Sequence, residues 1–140
     1  MVVLNFEENW SAITEYIKNF VSQFGYSANM VSDGVPDDKI TKAPPFIKVF
    51  AIPNPDSDNS TINNFANMQF TIFVAGVGSQ DTKTSICNSV YLATAIRNSL
   101  LENTHLTKDT LTGSKIEPEA LYNNYSLMSF ELLSPYLEAV

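Results

Sequence analysis

The residues best equipped for chemistry are few, and each stands alone. His105 is the only histidine of the 140-residue chain and Cys87 its only cysteine. A histidine acts as a base or ligand when a nucleophile, a carboxylate or further ligands converge on it, and no motif places any beside it. It follows the expected end of a helix, where positive charge is mildly favoured, and reads as a surface residue. Cys87 falls on or beside the apolar stripe of a helix without a basic neighbour, and reads as a buried, inert thiol. A single cysteine excludes an internal disulfide and a Cys-based zinc cage.

Three further spacings match known chemistry only in part. Asp56-x-Asp58-x-Ser60 begins like a calcium loop, but the sixth and twelfth positions hold Thr61 and Asn67 instead of Gly and Glu. Gly76-x-Gly78 lies between an expected strand and an expected helix, the right context for a phosphate. It lacks the third glycine of the dinucleotide fingerprint and the Gly-Lys-Ser/Thr of a P-loop, so a strand-ending turn explains both glycines. Glu117, Glu119 and Glu131 could work as acid and base only if the fold converged them, and their spacing does not pair them. The expectation is a protein that is not an enzyme, with no catalytic residue, no cofactor and no metal.

The elements that would position these residues are easier to read. Phe6, Trp10, Ile13, Ile17, Phe20 and Phe24 recur every three or four residues and make one apolar helical stripe. Asn5 is placed to cap this helix, Glu8 completes a capping box, and Gly25 is a natural stop. Residues 26–45 are broken by Gly and Pro and read as a loop with one short extended piece. Residues 46–52 form a strand, with Phe46, Lys48, Phe50 and Ile52 on one face and Ile47, Val49 and Ala51 on the other.

Residues 54–64 are a polar connection between two strands. Met68, Phe70, Ile72 and Val74 then alternate with Gln69, Thr71, Phe73 and Ala75 in the second strand. Ser79 is placed to cap a helix over 80–102, with Ile86, Val90, Ala93, Arg97 and Leu100 as its inner stripe, widened by Cys87, Ile96 and Leu101. Residues 111–114 read as a turn, 115–117 as a short strand, and 125–133 as the last strand, ended by Pro135. The order predicts a single α+β domain over 1–140, with an antiparallel or mixed sheet of about four strands and two helices on one face.

Composition narrows the partners. Fifteen acidic residues against eight basic ones give a formal charge of −7, with the basic residues scattered, so direct nucleic-acid binding is not expected. The longest nearly uncharged apolar run, 70–77, is far short of the roughly 20 residues that cross a bilayer, so no membrane role is expected. The N-terminal residues lack a basic stretch and are not expected to act as a secretory signal.

Taken in order, these elements resemble a known family. They are the first helix, the Pro44-Pro45-Phe46-Ile47-Lys48-Val49-Phe50 strand, a polar loop and the Gln69-Phe70-Thr71-Ile72-Phe73-Val74 strand. A helix with Tyr91-Leu92-x-x-x-Ile96-Arg97-x-x-Leu100, a Gly-containing turn and a closing strand with Tyr125-Ser126-Leu127-Met128-Ser129-Phe130 follow. The pattern is similar to the tail-terminator or tail-completion proteins of long-tailed phages, in particular the version found in Mu-like prophages. The resemblance covers nearly the whole chain as a pattern of elements, with no catalytic motif.

It implies a homo-oligomer, typically a six-subunit ring, that caps the tail tube and joins it to the head. The implied partners are further copies of the chain, the tail tube protein and the head–tail connector proteins. The implied place is the virion tail, assembled in the bacterial host cytoplasm. In such a protein function lives in subunit interfaces. Strand 46–52, apolar on both faces, needs cover on both, a helix on one side and a neighbouring subunit on the other. Phe46, Lys48, Phe50, Ile52, Phe73 and Glu131 are therefore the candidate subunit interface. The competing expectation is a binding module for a small molecule or peptide, using the turn at 76–79 or a sheet edge.

Overall fold

The computed structural model describes residues 4–36, 43–54, 65–102, 112–122 and 124–137. His105 and the Asp56–Asp58–Ser60 triplet lie outside the described residues. The first helix, α1 (Phe6–Ser22), starts as its sequence dictates. Asn5 accepts a hydrogen bond from the Glu8 N–H at 2.8 Å, and Glu8 accepts one from the Asn5 N–H at 3.2 Å. This reciprocal pair satisfies two of the free N–H groups at the helix start. The helix ends just before Gly25, whose φ of 86° lies in the left-handed region that glycine adopts without steric cost.

A single turn of 3₁₀ helix (Ala28–Met30) leads into β1 (Val31–Asp33), the short extended piece expected after α1. β2 (Phe46–Pro53), β3 (Phe65–Ala75), β4 (Thr112–Gly113), β5 (Glu117–Leu121) and β6 (Ser126–Leu137) complete the strands. The second helix, α2 (Thr82–Glu102), lies between β3 and β4. The fold is α+β with a mixed sheet in the order β1-β2-β3-β6-β4, while β5 also pairs with β6. Among the described residues β1–β2 is the only parallel strand pairing, the other strand pairings are antiparallel, and an isolated parallel bridge joins Asn5 to Leu137. The described residues form six strands where about four are expected, because β1 and β4 hold only three and two residues, too short for a periodic signal.

Both helices cover the same face of the sheet. Ile13, Ile17 and Val21 of α1 meet Ala93, Ile96 and Leu100 of α2 over one continuous apolar layer. The sheet supplies Ile47 and Val49 from β2, Phe70, Ile72 and Val74 from β3, and Met128, Phe130 and Leu132 from β6. Burying a side chain such as Phe70 or Phe130 contributes about 1.5–3 kcal/mol each, so this layer is the main stabilising element. Asn9 ties the layer together: buried, it donates to the Ser134 hydroxyl at 2.8 Å and to the Pro135 carbonyl at 3.1 Å.

The structure departs from the sequence expectation at four places. α2 begins at Thr82, and its cap is Asp81, whose carboxylate accepts from the Thr84 N–H at 3.2 Å and from the Thr84 hydroxyl. These bonds, the hydroxyl first, hold the Asp81 carboxyl below the usual carboxylate range. Ser79 sits outside the helix and accepts from the Asp81 N–H. The buried stripe of α2 is Ser85, Ser89, Ala93, Ile96 and Leu100, rotated from the expected one. Ile86 and Val90 are partly buried beside it, Arg97 reaches the Ser114 carbonyl, and Leu101 is exposed.

The two remaining departures concern the C-terminal strands. The short strand expected at 115–117 is instead β5, Glu117–Leu121, and β4 occupies part of the expected turn. Pro135 does not end β6, which runs on to Leu137. N–H groups at this parity point away from β3: Glu131 donates to Ser114 Oγ and Leu137 to the Leu4 carbonyl. Pro135 falls between those contacts, beyond the last residue paired with β4, so its missing N–H breaks no ladder bond.

Candidate functional site

The sheet face opposite the helices carries the sequence-expected interface. Strand register sorts it into rows across β2, β3 and β6. Phe46, Ala75 and Leu127 form the first row, and Lys48, Phe73 and Ser129 the second. Phe50, Thr71 and Glu131 form the third, and Ile52, Gln69 and Leu133 the fourth. All six expected interface residues thus lie on one face, on three strands far apart in sequence.

One of them is withdrawn from contact. Phe46 is buried at one end of the face, where the Tyr125 ring meets it edge-on at 5.8 Å and Tyr122 stacks on Tyr125 at 4.6 Å. It belongs to a second small core with Ala75 and Leu127, against which Phe73 and Ala120 pack. The cover reaches the second row, where Phe73 packs on this core and Ser129 is buried, while the third and fourth rows have no such lid among the described residues. Phe50, Phe73, Thr71, Gln69 and Leu133 are half-buried, while Ile52 and Glu131 are exposed. Trp10 closes the β2 side: its ring stands edge-on to Phe50 at 6.3 Å, and its N–H donates to the Val49 carbonyl.

Charge on this face is unevenly placed. Lys48 is half-buried on β2, and the only ion pair among the described residues is Lys18–Glu15 on α1. On the opposite side, Ser129 donates to Glu119 at 2.6 Å, drawing that carboxylate over β6. Glu117 pairs with Ser129 across β5 and β6, and Glu131 follows one row on. The three glutamates therefore share one margin of the face. Among the described residues no group of three or more His, Cys, Asp or Glu is arranged to hold a metal.

The remaining sequence candidates have structural explanations. A Cβ on Gly76 would lie 2.6 Å from the carbonyl carbon and oxygen of Asn88, and one on Gly78 would lie 2.5 Å from the Asn124 carbonyl oxygen. Both glycines permit backbone contact, with α2 in one case and the β5–β6 connection in the other. The Gly76 N–H donates to Ser89 at 2.9 Å, and the Ser89 hydroxyl donates to the Ser126 carbonyl. Cys87 is half-buried on α2 rather than buried. No helix among the described residues is long and apolar enough to cross a membrane.

The helix layer has a feature that the sequence does not flag. Phe20, Phe24 and Tyr26 face Tyr91, Leu92 and Val77 across an open groove of about 360 Å³. Phe24 is 64% exposed and Tyr91 70%. Apolar spacing puts Phe24 on the buried stripe, but α1 ends before it and its ring packs on Phe20 at 5.0 Å.

Neither a scan against protein-family models nor a search of curated proteins returns a match for this chain.

Proposed function

We propose that this chain is a structural assembly protein of a phage or prophage tail, a terminator or completion protein that forms a ring. In this role it caps the tail tube, joins it to the head, and contacts the tube protein and the head–tail connector proteins. Its place is then the virion tail, assembled in the host cytoplasm.

The observation that carries the reading is a sheet face that the described residues leave uncovered. A sheet packs an apolar layer on each side when both faces are apolar. Here both helices lie on one side, and Phe50, Phe73, Ile52 and Leu133 line the other. Another protein surface supplies the missing layer. The order of elements, which resembles that of tail-terminator proteins, supports the same reading. Negative-stain microscopy of the purified protein mixed with a tail tube protein is expected to show symmetric rings. Only isolated subunits or pairs in that mixture would refute it.

The helix-side groove supports a second reading, a binding module for an apolar ligand or peptide. An anilinonaphthalene dye that binds the wild type but not Phe24→Ser would favour it. Equal binding to both would remove it.

A further inference from the structure

We infer that the uncovered sheet face pairs with a second copy of the same chain about a two-fold axis running along β3. The inference rests on the reading of this face as the assembly surface, and it adds the geometry and the residues that select it.

Lys48 on β2 and the Glu119 carboxylate, drawn over β6 by Ser129, occupy the same row on opposite sides of Phe73. Among the described residues of β2, β3, β5 and β6, this face carries Lys48 on the β2 side and Glu117, Glu119 and Glu131 on the β6 side. Phe73, Phe50 and Thr71 lie between. A half-turn about an axis parallel to β3 lays β2 of one copy over β6 of the other and keeps the rows aligned. Lys48 of each copy then meets Glu119 of the other, so the contact is formed twice, as an isologous interface requires.

The alternative in-plane axis, perpendicular to the strands, sets β2 over β2 and β6 over β6. That arrangement brings carboxylates against carboxylates and leaves Lys48 without one. Charge therefore selects the first axis. Aligned sheets pack about 10 Å apart, a gap that a lysine and a glutamate reaching from opposite sides span together. Among the described residues Lys48 has no ion-pair partner in its own chain. Glu117 and Glu131 are exposed at the margin and stay hydrated. A ring that caps a tube has all its subunits pointing one way. The two-fold pair is thus the form of the free protein, and the face passes to the tube or head partner on assembly.

Sedimentation equilibrium of the full chain tests this with Lys48→Glu, Glu119→Lys and their equimolar mixture, with circular dichroism verifying the fold of each. The wild type is expected to dimerise. Each variant alone weakens the dimer about tenfold or more, because like charges then meet across the axis. The mixture recovers it, because the two substitutions together restore an opposite-charge contact between the copies. A wild type that forms no dimer, or variants that pair as the wild type does, would overturn the inference. Rings in the microscope that both variants leave intact would remove the two-fold pair while leaving the assembly reading in place.

Discussion

Gly76→Ala is expected to destabilise the fold by about 3 kcal/mol. Gly76 has no positive φ, so the cost does not come from its backbone conformation. It comes from space. The added methyl would stand 2.6 Å from the Asn88 carbonyl and 2.8 Å from the Ser89 nitrogen, all backbone atoms of α2 that cannot swing aside. Moving α2 away would also lengthen the bond from the Gly76 N–H to Ser89, leaving a buried donor unsatisfied. Gly25→Ala is the contrasting case, with a φ of 86° but nothing within 4 Å of the added carbon. Its cost is about 1 kcal/mol. Urea unfolding of both variants measures the difference. Equal losses would show that α2 does not pack on the end of β3 as described.

Thr71→Arg is expected to weaken self-association about a hundredfold while leaving the monomer folded. Thr71 sits half-buried in the centre of the uncovered face, between Phe50 on β2 and Glu131 on β6. In the monomer the new guanidinium has Glu131 directly across the strand pair, so the fold gains a cross-strand charge pair worth a few tenths of a kcal/mol. In the proposed assembly the same side chain would fill the layer where the other protein sits and bring a charge that must be desolvated. A penalty of about 3 kcal/mol weakens association roughly a hundredfold. Circular dichroism and thermal unfolding separate this outcome from simple misfolding.

The legible parts of the fold are those where one local rule and one burial pattern agree. α1 carries a capping box, an acidic first turn and an apolar stripe, and the structure uses all three. β2 and β3 alternate cleanly, and register places their alternate residues on opposite faces as expected. α2 is the instructive failure. Its buried face begins with Ser85 and Ser89, which a search for apolar spacing passes over. Ser89 is buried because it bridges the Gly76 N–H and the Ser126 carbonyl, a tertiary requirement with no local signature. Pro135 misleads for a related reason, since its effect depends on which edge its nitrogen faces, and only the sheet order decides that.

The candidate surface is legible in the same partial way. Alternation alone groups Phe46, Lys48, Phe50 and Ile52, and Phe73 and Glu131 join them in the structure. What the sequence does not foresee is the Tyr125 ring that buries Phe46, because the contact depends on how the β5–β6 connection folds back. Nor does it foresee the placement of Glu119, which sits at the register shift between β5 and β6.

The central claim is that the uncovered sheet face is the surface through which this protein assembles. Sedimentation velocity of the wild type and Thr71→Arg, side by side over a wide concentration range, tests it most directly. The account predicts a faster-sedimenting species that grows with concentration for the wild type and a single monomer boundary for the variant. A wild type that remains monomeric throughout, or a variant that assembles as readily as the wild type, would contradict it.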